Sequence, residues 1–204
     1  VTLDLNGHTL SCSSENTGII WVRKNGNLAI KDSGTGGKID GQEKNCGIFI
    51  KGGVLTLESG SIVNCYEKII DEYSGDGAAV DLETNGQFIM NGGAIEDCRA
   101  GDDGGAIDIG SGCTFIMNGG AIMGCKAGDD GGAVDIGSGC TFVINGGTIR
   151  NFRSDDDGGA VFIKQGGAFE LNDGIIQNCS AGANGGAVNI YQDGHFSMTG
   201  GTIK

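Results

Sequence analysis

The amino-acid sequence predicts an all-β protein, a right-handed parallel β-helix of about eight coils with three short strands in each coil. Three observations predict this fold: a repeat of 27 residues, an alternation of apolar residues within each repeat, and turn residues between the alternating segments. The 204 residues include 42 glycines and no proline. Glycine without proline excludes collagen, and the regular recurrence of Ile, Val, Leu and Phe argues against low-complexity disorder.

The repeat is clearest in the second half of the chain, where three ladders advance by the same step of 27 residues. The first ladder is an Asp-Gly-Gly-Ala-Ile/Val segment or a close variant, which starts at Asp76, Asp103, Asp130, Asp157 and Asn184. The second ladder consists of Phe88, Phe115, Phe142, Phe169 and Phe196. The third is an apolar position at Met90, Met117, Ile144, Leu171 and Met198. Three ladders in one register indicate that each repeat forms one coil of a solenoid.

Within one repeat the apolar residues alternate with a period of two, as in strands. Val134 and Ile136 share one face of the first strand, and Phe142 and Ile144 share one face of the second. A third short strand follows at Ile149. Gly, Asn, Asp and Ser separate the three segments, so 27 residues close one triangular coil.

The domain organisation predicted from these patterns is a single β-helix domain over residues 1–204. It comprises irregular coils in residues 1–75, regular 27-residue repeats in 76–204 and a corner insertion at 66–74. The step from Leu57 to Met90 is 33 residues, and the extra residues account for the insertion. We expect the domain to be a segment of a longer rod or fibre.

The corners of the coils carry glycine and asparagine. Both residue types tolerate the positive φ angles that tight corners need. One asparagine column, expected to hydrogen-bond along the solenoid axis, consists of Asn91, Asn118, Asn145 and Asn172. The absence of proline agrees with this fold, because proline removes a backbone hydrogen-bond donor from a strand ladder.

The charge distribution limits the partners. The formal net charge is −13, and residues 69–204 carry the whole excess, with six basic and nineteen acidic residues. An acidic surface repels nucleic acid and anionic membranes, so neither is an expected partner. No apolar stretch approaches the roughly 18–20 residues that span a bilayer, so we expect no membrane insertion within this segment.

Several segments resemble known repeat proteins. They are Val-Thr-Leu-Asp-Leu-Asn-Gly-His-Thr-Leu at the start, the Gly-Gly-Ala-Ile/Val repeats, and Met-Asn-Gly-Gly-Ala-Ile beginning at Met90 and Met117. They resemble repeat regions of bacterial surface proteins in the pectin-lyase-like β-helix superfamily, of the adhesin-like and polymorphic outer-membrane-like kinds. The resemblance implies an extracellular or cell-surface location. It also implies a structural or adhesive role, with partners such as a host surface protein, a polysaccharide or another copy bound end to end.

One column of carboxylates is the sharpest candidate for chemistry. Asp81, Asp108 and Asp135 occupy the same outward position in adjacent coils. Charges about 5 Å apart repel by about 1 kcal/mol per pair in water, so solvent, a lysine or a bound cation must relieve them. Carboxylate oxygens suit calcium, and we predict a calcium site at these three residues. The alternative is a solvated polar face copied by repeat duplication.

The resemblance also implies an enzymatic alternative. The superfamily includes polysaccharide lyases that hold calcium with aspartates and abstract a proton with a basic residue. A hydrolase is disfavoured, because the nearest matches to its motifs lie at His8 and Arg150, about five coils apart. We therefore expect a non-catalytic extracellular structural or adhesive repeat protein with a rigid acidic surface. The alternatives are a self-assembling fibre subunit that stacks head to tail, and a calcium-dependent polysaccharide lyase or carbohydrate-binding β-helix.

Three further groups of residues were candidates for function or stability. The corner insertion exposes apolar residues that either bind a partner or cover a flank of the helix: Tyr66, Ile69, Ile70 and Tyr73. A second acidic column, at the corners, consists of Asp102, Asp103, Asp129, Asp130 and Asp155 to Asp157, where solvated turns or weak cation binding are both possible. Cysteines share an inward position at Cys65, Cys98, Cys125 and Cys179, and we predict buried thiols there.

Overall fold

The computed structural model describes residues 1–13, 18–68 and 76–204, and these residues form an all-β solenoid. Its strands are numbered β1 to β25 in chain order. In these ranges no helix is long and apolar enough to cross a membrane. All named strands pair in parallel with strands of the neighbouring coils, and most of them belong to three long sheets.

The three sheets are named here by the residue that marks each of them. The phenylalanine sheet contains β1 (Thr2–Asp4), β4 (Asn27–Lys31), β7 (Val54–Leu57), β11 (Gln87–Met90), β15 (Thr114–Met117), β18 (Thr141–Ile144), β21 (Ala168–Leu171) and β24 (His195–Met198). The isoleucine sheet contains β2 (Thr9–Leu10), β5 (Lys38–Asp40), β8 (Ser61–Val63), β12 (Ala94–Glu96), β16 (Ala121–Met123), β19 (Thr148–Arg153), β22 (Ile175–Ser180) and β25 (Thr202–Ile203). The aspartate sheet contains β3 (Ile20–Arg23), β6 (Ile48–Lys51), β10 (Val80–Glu83), β14 (Ile107–Ile109), β17 (Val134–Ile136), β20 (Val161–Ile163) and β23 (Val188–Ile190).

The strand register confirms the predicted repeat. Phe88 lies opposite Phe115 in the phenylalanine sheet, and Ile95 lies opposite Ile122 in the isoleucine sheet. Both pairs are one repeat apart in the sequence. The chain makes about seven turns, so the predicted class, a parallel β-helix with three short strands per coil, is confirmed.

The core is a continuous stack of apolar side chains that runs along the solenoid axis. The rings of Phe115 and Phe142 stack with centroids 4.6 Å apart, and those of Phe142 and Phe169 with centroids 5.1 Å apart. The isoleucine sheet adds a fully or almost fully buried column of Ile39, Ile62, Ile95, Ile122, Ile149 and Ile176. Because apolar side chains repeat at the same height in every coil, each coil buries its core against the next.

The predicted asparagine column is also present. The Nδ2 of Asn118 donates to Oδ1 of Asn91 at 2.9 Å, and the same bond links Asn145 to Asn118 at 2.9 Å and Asn172 to Asn145 at 3.0 Å. Glu58 accepts from Asn91 at the start of this ladder. Side-chain amides therefore connect successive coils at one corner, in parallel with the backbone ladders.

The corner insertion is described only in part. Tyr66 and Glu67, expected at its start, form the short strand β9 (Tyr66–Glu67), which pairs with β13 (Arg99–Ala100). The repeat therefore continues two residues further than the sequence pattern indicated. The remaining residues singled out in the insertion, Ile69, Ile70 and Tyr73, lie outside the described residues.

The close packing of coils at the Gly-Gly corner predicts a specific sensitivity to substitution. A Cβ at Gly132 would collide with the carbonyl oxygen of Gly159 in the next coil and lie 2.8 Å from the carbonyl carbon of Arg153. We expect Gly132→Ala to lower the free energy of unfolding by about 1–3 kcal/mol, the usual cost of overpacking. Urea denaturation measures this change.

Gly186 provides the matched control, since it occupies the same repeat position in the last coil. A Cβ at Gly186 would meet nothing within 4 Å. Gly186→Ala should therefore leave the stability nearly unchanged. Equal effects of the two substitutions would mean that contact between coils is not the cause.

Candidate functional site: the aspartate column

The aspartate sheet brings the three predicted carboxylates together. In the register of β10, β14 and β17, Asp81 lies opposite Asp108 and Asp108 lies opposite Asp135. Phe49 precedes this aspartate column and Phe162 follows it in the same row. Sequence spacing alone was sufficient to place these side chains side by side.

The aspartate column is not the open, solvated face that the sequence suggested. Asp135 is fully buried, and Asp81 and Asp108 are only partly exposed. The Asp-Gly corner that precedes β10 lies close to the aspartate of the neighbouring strand β14. A Cβ at Gly77, whose φ is +57°, would lie 2.7 Å from the backbone nitrogen of Asp108. The expectation of exposure was wrong because alternation identifies the face of a strand, but not what a neighbouring turn lays over that face.

A lysine enters the aspartate column from the next coil. The Nζ of Lys164, just after β20, lies 2.7 Å from Oδ2 of Asp135 and 2.9 Å from Oδ2 of Asp103. Burial alone would lower the pKa of Lys164, but the carboxylates of Asp135 and Asp103 outweigh burial and raise that pKa. Lys164 is therefore a protonated cation that neutralises one end of the column.

The remaining carboxylates are held as acids by burial. Burial, together with the charges of Glu83 and Asp76, raises the pKa of Asp81 to about 8. Burial and the neighbouring carboxylate of Asp135 also raise the pKa of Asp108 well above its ordinary value. Ionisation of Asp81 or Asp108 would place negative charges on adjacent strands, and a partly desolvated site disfavours such a pair of charges.

Asp135 experiences opposing influences. The net pKa of Asp135 is about 7, because burial raises it more than Lys164 and a hydrogen bond with Asp108 lower it. The raised pKa of Lys164 requires an ionised partner, and its Nζ contacts Asp135 directly. We therefore assign the negative charge to Asp135 and the proton to Asp108, so that the two form a carboxylate–carboxylic acid pair.

The calcium site proposed at Asp81, Asp108 and Asp135 stays a prediction. Oδ1 of Asp135 is buried, and no N–H or hydroxyl group of the described residues donates a hydrogen bond to it. A cation could bind this oxygen without displacing Lys164, which contacts Oδ2. The same cation would have to displace the proton of Asp108, so calcium and protonation compete for the column.

The corner acids have a structural role that the sequence analysis did not assign to them. Oδ1 of Asp103 accepts the backbone N–H of Asp130 at 3.0 Å, and Oδ1 of Asp130 accepts that of Asp157 at 2.9 Å. Each corner aspartate thus caps the turn of the next coil. Carboxylate oxygens also lie close together in two groups, Asp102, Asp103 and Asp129, and Asp129, Asp130 and Asp156. Weak cation binding at these corners stays a prediction.

Tyr66 is the only insertion residue of the four whose surroundings are described. Its side chain is half-buried, and the guanidinium carbon of Arg99 lies 5.7 Å from the centre of its ring. The pairing of β9 with β13 holds both residues on neighbouring coils. Partner binding by Tyr66, Ile69, Ile70 and Tyr73 stays a prediction.

The cysteines are free thiols, and most of them are buried. Cys65, Cys98 and Cys125 occupy the inward position expected of them, and Phe152 fills the same position in the following coil. Cys179 shares this position, but it is only partly buried, so the prediction of a fully buried thiol was wrong there. A second stacked pair, Cys113 and Cys140, is also buried. Burial raises the pKa of Cys113 to about 11, so this thiol stays protonated at neutral pH. These cysteines pack as small apolar residues.

Two features of the site were missed in the sequence. Lys164 occupies a position that is glycine in the two preceding coils, at Gly110 and Gly137. This departure from the repeat was the available signal for the ion pair. The second feature is a groove beside Trp21, which forms only because three consecutive coils contribute residues to it.

Comparison of the chain with protein-family models, with curated proteins and with solved structures gives no match.

Proposed function

We propose that this chain is a non-catalytic extracellular rod that acts as a structural and adhesive element of a cell surface. The observation that carries the proposal is the continuity of the solenoid. Three parallel sheets and a stacked aromatic core join each coil to the next. Such an architecture supports a rigid, extended surface on which binding residues keep fixed spacings.

The charge and the resemblance of the repeats support the same proposal. Most of the acidic excess lies in the regular repeats, where it keeps the surface soluble and repels nucleic acid. The Gly-Gly-Ala-Ile/Val segments resemble those of adhesin-like surface proteins in the pectin-lyase-like superfamily. The partners we propose are a polysaccharide or a host surface protein.

The lyase alternative is favoured by one observation, the position of Lys164 beside the aspartates. A lyase needs a neutral base to abstract a proton, whereas the two carboxylates around Lys164 hold it protonated. Asp135, its ion-pair partner, is fully buried. The arrangement therefore supports a structural ion pair better than a proton-abstracting site.

Adhesion under flow tests the proposed function. Beads coated with the full chain are passed over surfaces that carry an acidic polysaccharide, a neutral polysaccharide or a host surface protein. We expect retention on at least one of these surfaces above the level of albumin-coated beads, and no release of polysaccharide fragments. Fragment release that Lys164→Met abolishes would contradict the non-catalytic assignment. Retention no greater than that of albumin-coated beads would contradict the adhesive role.

A fibre subunit that stacks head to tail is the second candidate function. It is favoured by the pairing of the named strands, all of which pair in parallel with strands of neighbouring coils, because the same pairing could join coils of two copies. Filaments in negative-stain microscopy would support this candidate, and a monodisperse monomer at high concentration would contradict it.

A further inference from the structure

Three thiols stack on consecutive interior coils of the solenoid, away from the aspartate column. Cys65 and Cys98 stand directly before β9 and β13, which pair with each other, and Cys125 continues the column in the next coil. These three cysteines are no more than 2% exposed. Packing accounts for an apolar residue at this position, as Phe152 shows in the following coil, but packing does not require sulfur.

The sulfur of Cys98 lies at the centre of this cysteine column. The thiols of Cys65 and Cys125 each donate a hydrogen bond to it. The backbone N–H of Cys98 donates to the sulfur of Cys125 at 3.3 Å, so the side chain of Cys125 leans along the axis toward the preceding coil. The sulfurs therefore follow one another along the axis at the spacing of paired strands, which is about 4.8 Å.

This spacing suits a bridging metal ion better than a disulfide. A disulfide holds its two Cβ atoms about 3.5–4.5 Å apart, closer than stacked coils place them. A metal–thiolate bond is about 2.3 Å long, so two such bonds in line span about 4.6 Å. An ion between the sulfurs of Cys65 and Cys98 therefore requires little movement of the backbone.

The number and the kind of ligands limit which ion this pair can hold. Among the residues that the structure describes, neither Cys65 nor Cys98 belongs to a group of three Cys, His, Asp or Glu ligand atoms within 4.8 Å of one another. Zinc takes four ligands, and calcium and magnesium take oxygen ligands. Two thiolates in a dry core favour a soft ion of low coordination number, and Cu(I) is such an ion.

A groove of about 590 Å³ gives an ion a route to the pair, because both Cys65 and Cys98 line it. The charged lining residues are two acids and two bases, Glu43, Asp97, Arg99 and Lys126. Since these charges balance, the groove does not repel a monovalent cation. Its two bases also lie where they offset the negative charge that two thiolates and one monovalent ion leave in the core.

We propose that Cys65 and Cys98 bind one Cu(I) ion as a two-coordinate bis-thiolate site. Each thiol releases its proton to solvent as its sulfur binds the ion, so two protons leave for each Cu(I), and the complex carries one negative charge. Cys125 is a positioning residue, because its thiol donates to the sulfur of Cys98 without binding the ion. The site goes beyond the proposed adhesive role and does not depend on it.

Anaerobic titration with Cu(I) tests the site. The full chain, reduced and freed of metal, is titrated with the acetonitrile complex of Cu(I) in the presence of bicinchoninate as a competing chelator. We expect thiolate-to-copper charge-transfer absorption in the ultraviolet that saturates at one ion per chain. X-ray absorption of the loaded chain should show two sulfur neighbours around copper, and added Zn(II) should not displace the ion.

Three variants and a matched control assign the binding to the cysteine column. Cys65→Ala and Cys98→Ala should each weaken Cu(I) binding by more than about hundredfold, beyond the usual cost of losing a group outside the ligand set. Cys125→Ala should keep the stoichiometry and weaken binding by about tenfold. Cys140→Ala is the control, because Cys140 is an equally buried thiol that donates to the carbonyl oxygen of Gly110 at 2.6 Å. It should bind Cu(I) like the unaltered chain.

Several outcomes would overturn the inference. They are the absence of a saturable copper signal, three or more sulfur neighbours or only nitrogen and oxygen neighbours around copper, and unaltered affinity in Cys65→Ala and Cys98→Ala. A loss of binding in Cys140→Ala as large as that in Cys98→Ala would also overturn it. Circular dichroism checks that each variant keeps its sheet structure. X-ray absorption uses the unaltered chain, so its result decides the matter even where a variant does not fold.

Discussion

Phe142→Ala is expected to lower the free energy of unfolding by about 3–5 kcal/mol, the usual cost of removing a buried phenylalanine. Phe142 is fully buried and stacks between Phe115 and Phe169 with centroid distances of 4.6 and 5.1 Å. Truncation would leave a cavity that neighbouring rings cannot fill without losing their own stacking. Equilibrium denaturation in urea, followed by circular dichroism, measures the change.

Phe196→Ala is the matched control, because Phe196 belongs to the same ladder but lies in the last coil. Among the residues that the structure describes, its ring stacks only on that of Phe169, and the side chain is partly exposed. The loss of stability should be clearly smaller than for Phe142→Ala. Equal losses at the two positions would show that stacking between two neighbouring coils does not stabilise the solenoid as proposed.

Stability is expected to fall as pH rises from about 4 to about 8, opposite to the usual behaviour of a carboxylate-rich protein. Burial raises the pKa of Asp81 to about 8 and that of Glu67 to about 7. In this range the folded chain holds protons that the unfolded chain has released, so the unfolded state gains stability as pH rises. With about 1.4 kcal/mol per pKa unit, the combined loss is on the order of several kcal/mol.

Other carboxylates act in the opposite direction, but at lower pH. Hydrogen bonds from Ser33, together with Lys31 and Asn6, lower the pKa of Asp4 to about 2. Hydrogen bonds from Gly7 and Gly37 likewise lower the pKa of Asp32. These groups add stability above their unfolded pKa, and this stability is lost as pH falls below about 4. The greatest stability is therefore expected in mildly acidic solution.

A substitution in the aspartate column separates this effect from general charge repulsion. Asp108→Asn removes one titrating group, so the decline of stability between about pH 4 and pH 8 should become shallower. Asp193→Asn makes the same replacement at an exposed turn outside the aspartate column and is the control. A profile that rises with pH, or equal effects of the two substitutions, would contradict the assignment of protons to the column.

The coils could be predicted from the sequence, because the same positions are buried in successive 27-residue repeats. The repeat positions of Phe142 and Ile149 are buried in the neighbouring coils as well. The same hydrophobic pattern therefore occurs several times in the sequence, and an exception at a single position does not obscure it. Asp81, Asp108 and Asp135 were aligned for the same reason. Register in a solenoid follows from the length of the repeat.

The features that could not be predicted from the sequence are contacts between residues of different coils. Asp135 is buried beside the corner at Gly131, which packs closely against the backbone of Val134 and Asp135 and has a positive φ. The ion pair between Lys164 and Asp103 joins residues 61 positions apart, through a long side chain whose direction no pattern specifies. The groove at Trp21 likewise depends on departures from the repeat.

We infer that the aspartate column is a buried structural element whose negative charge is neutralised by protons and by Lys164. Carboxyl-carbon NMR of aspartate-labelled protein, titrated from about pH 4 to pH 9 with and without calcium, tests it most directly. Without calcium we expect Asp81 to titrate near pH 8 and Asp108 to retain its proton at neutral pH. Titration of both residues near pH 4 without calcium would contradict this assignment. A calcium-dependent shift of their signals at neutral pH would show that calcium displaces the proton at the predicted calcium site.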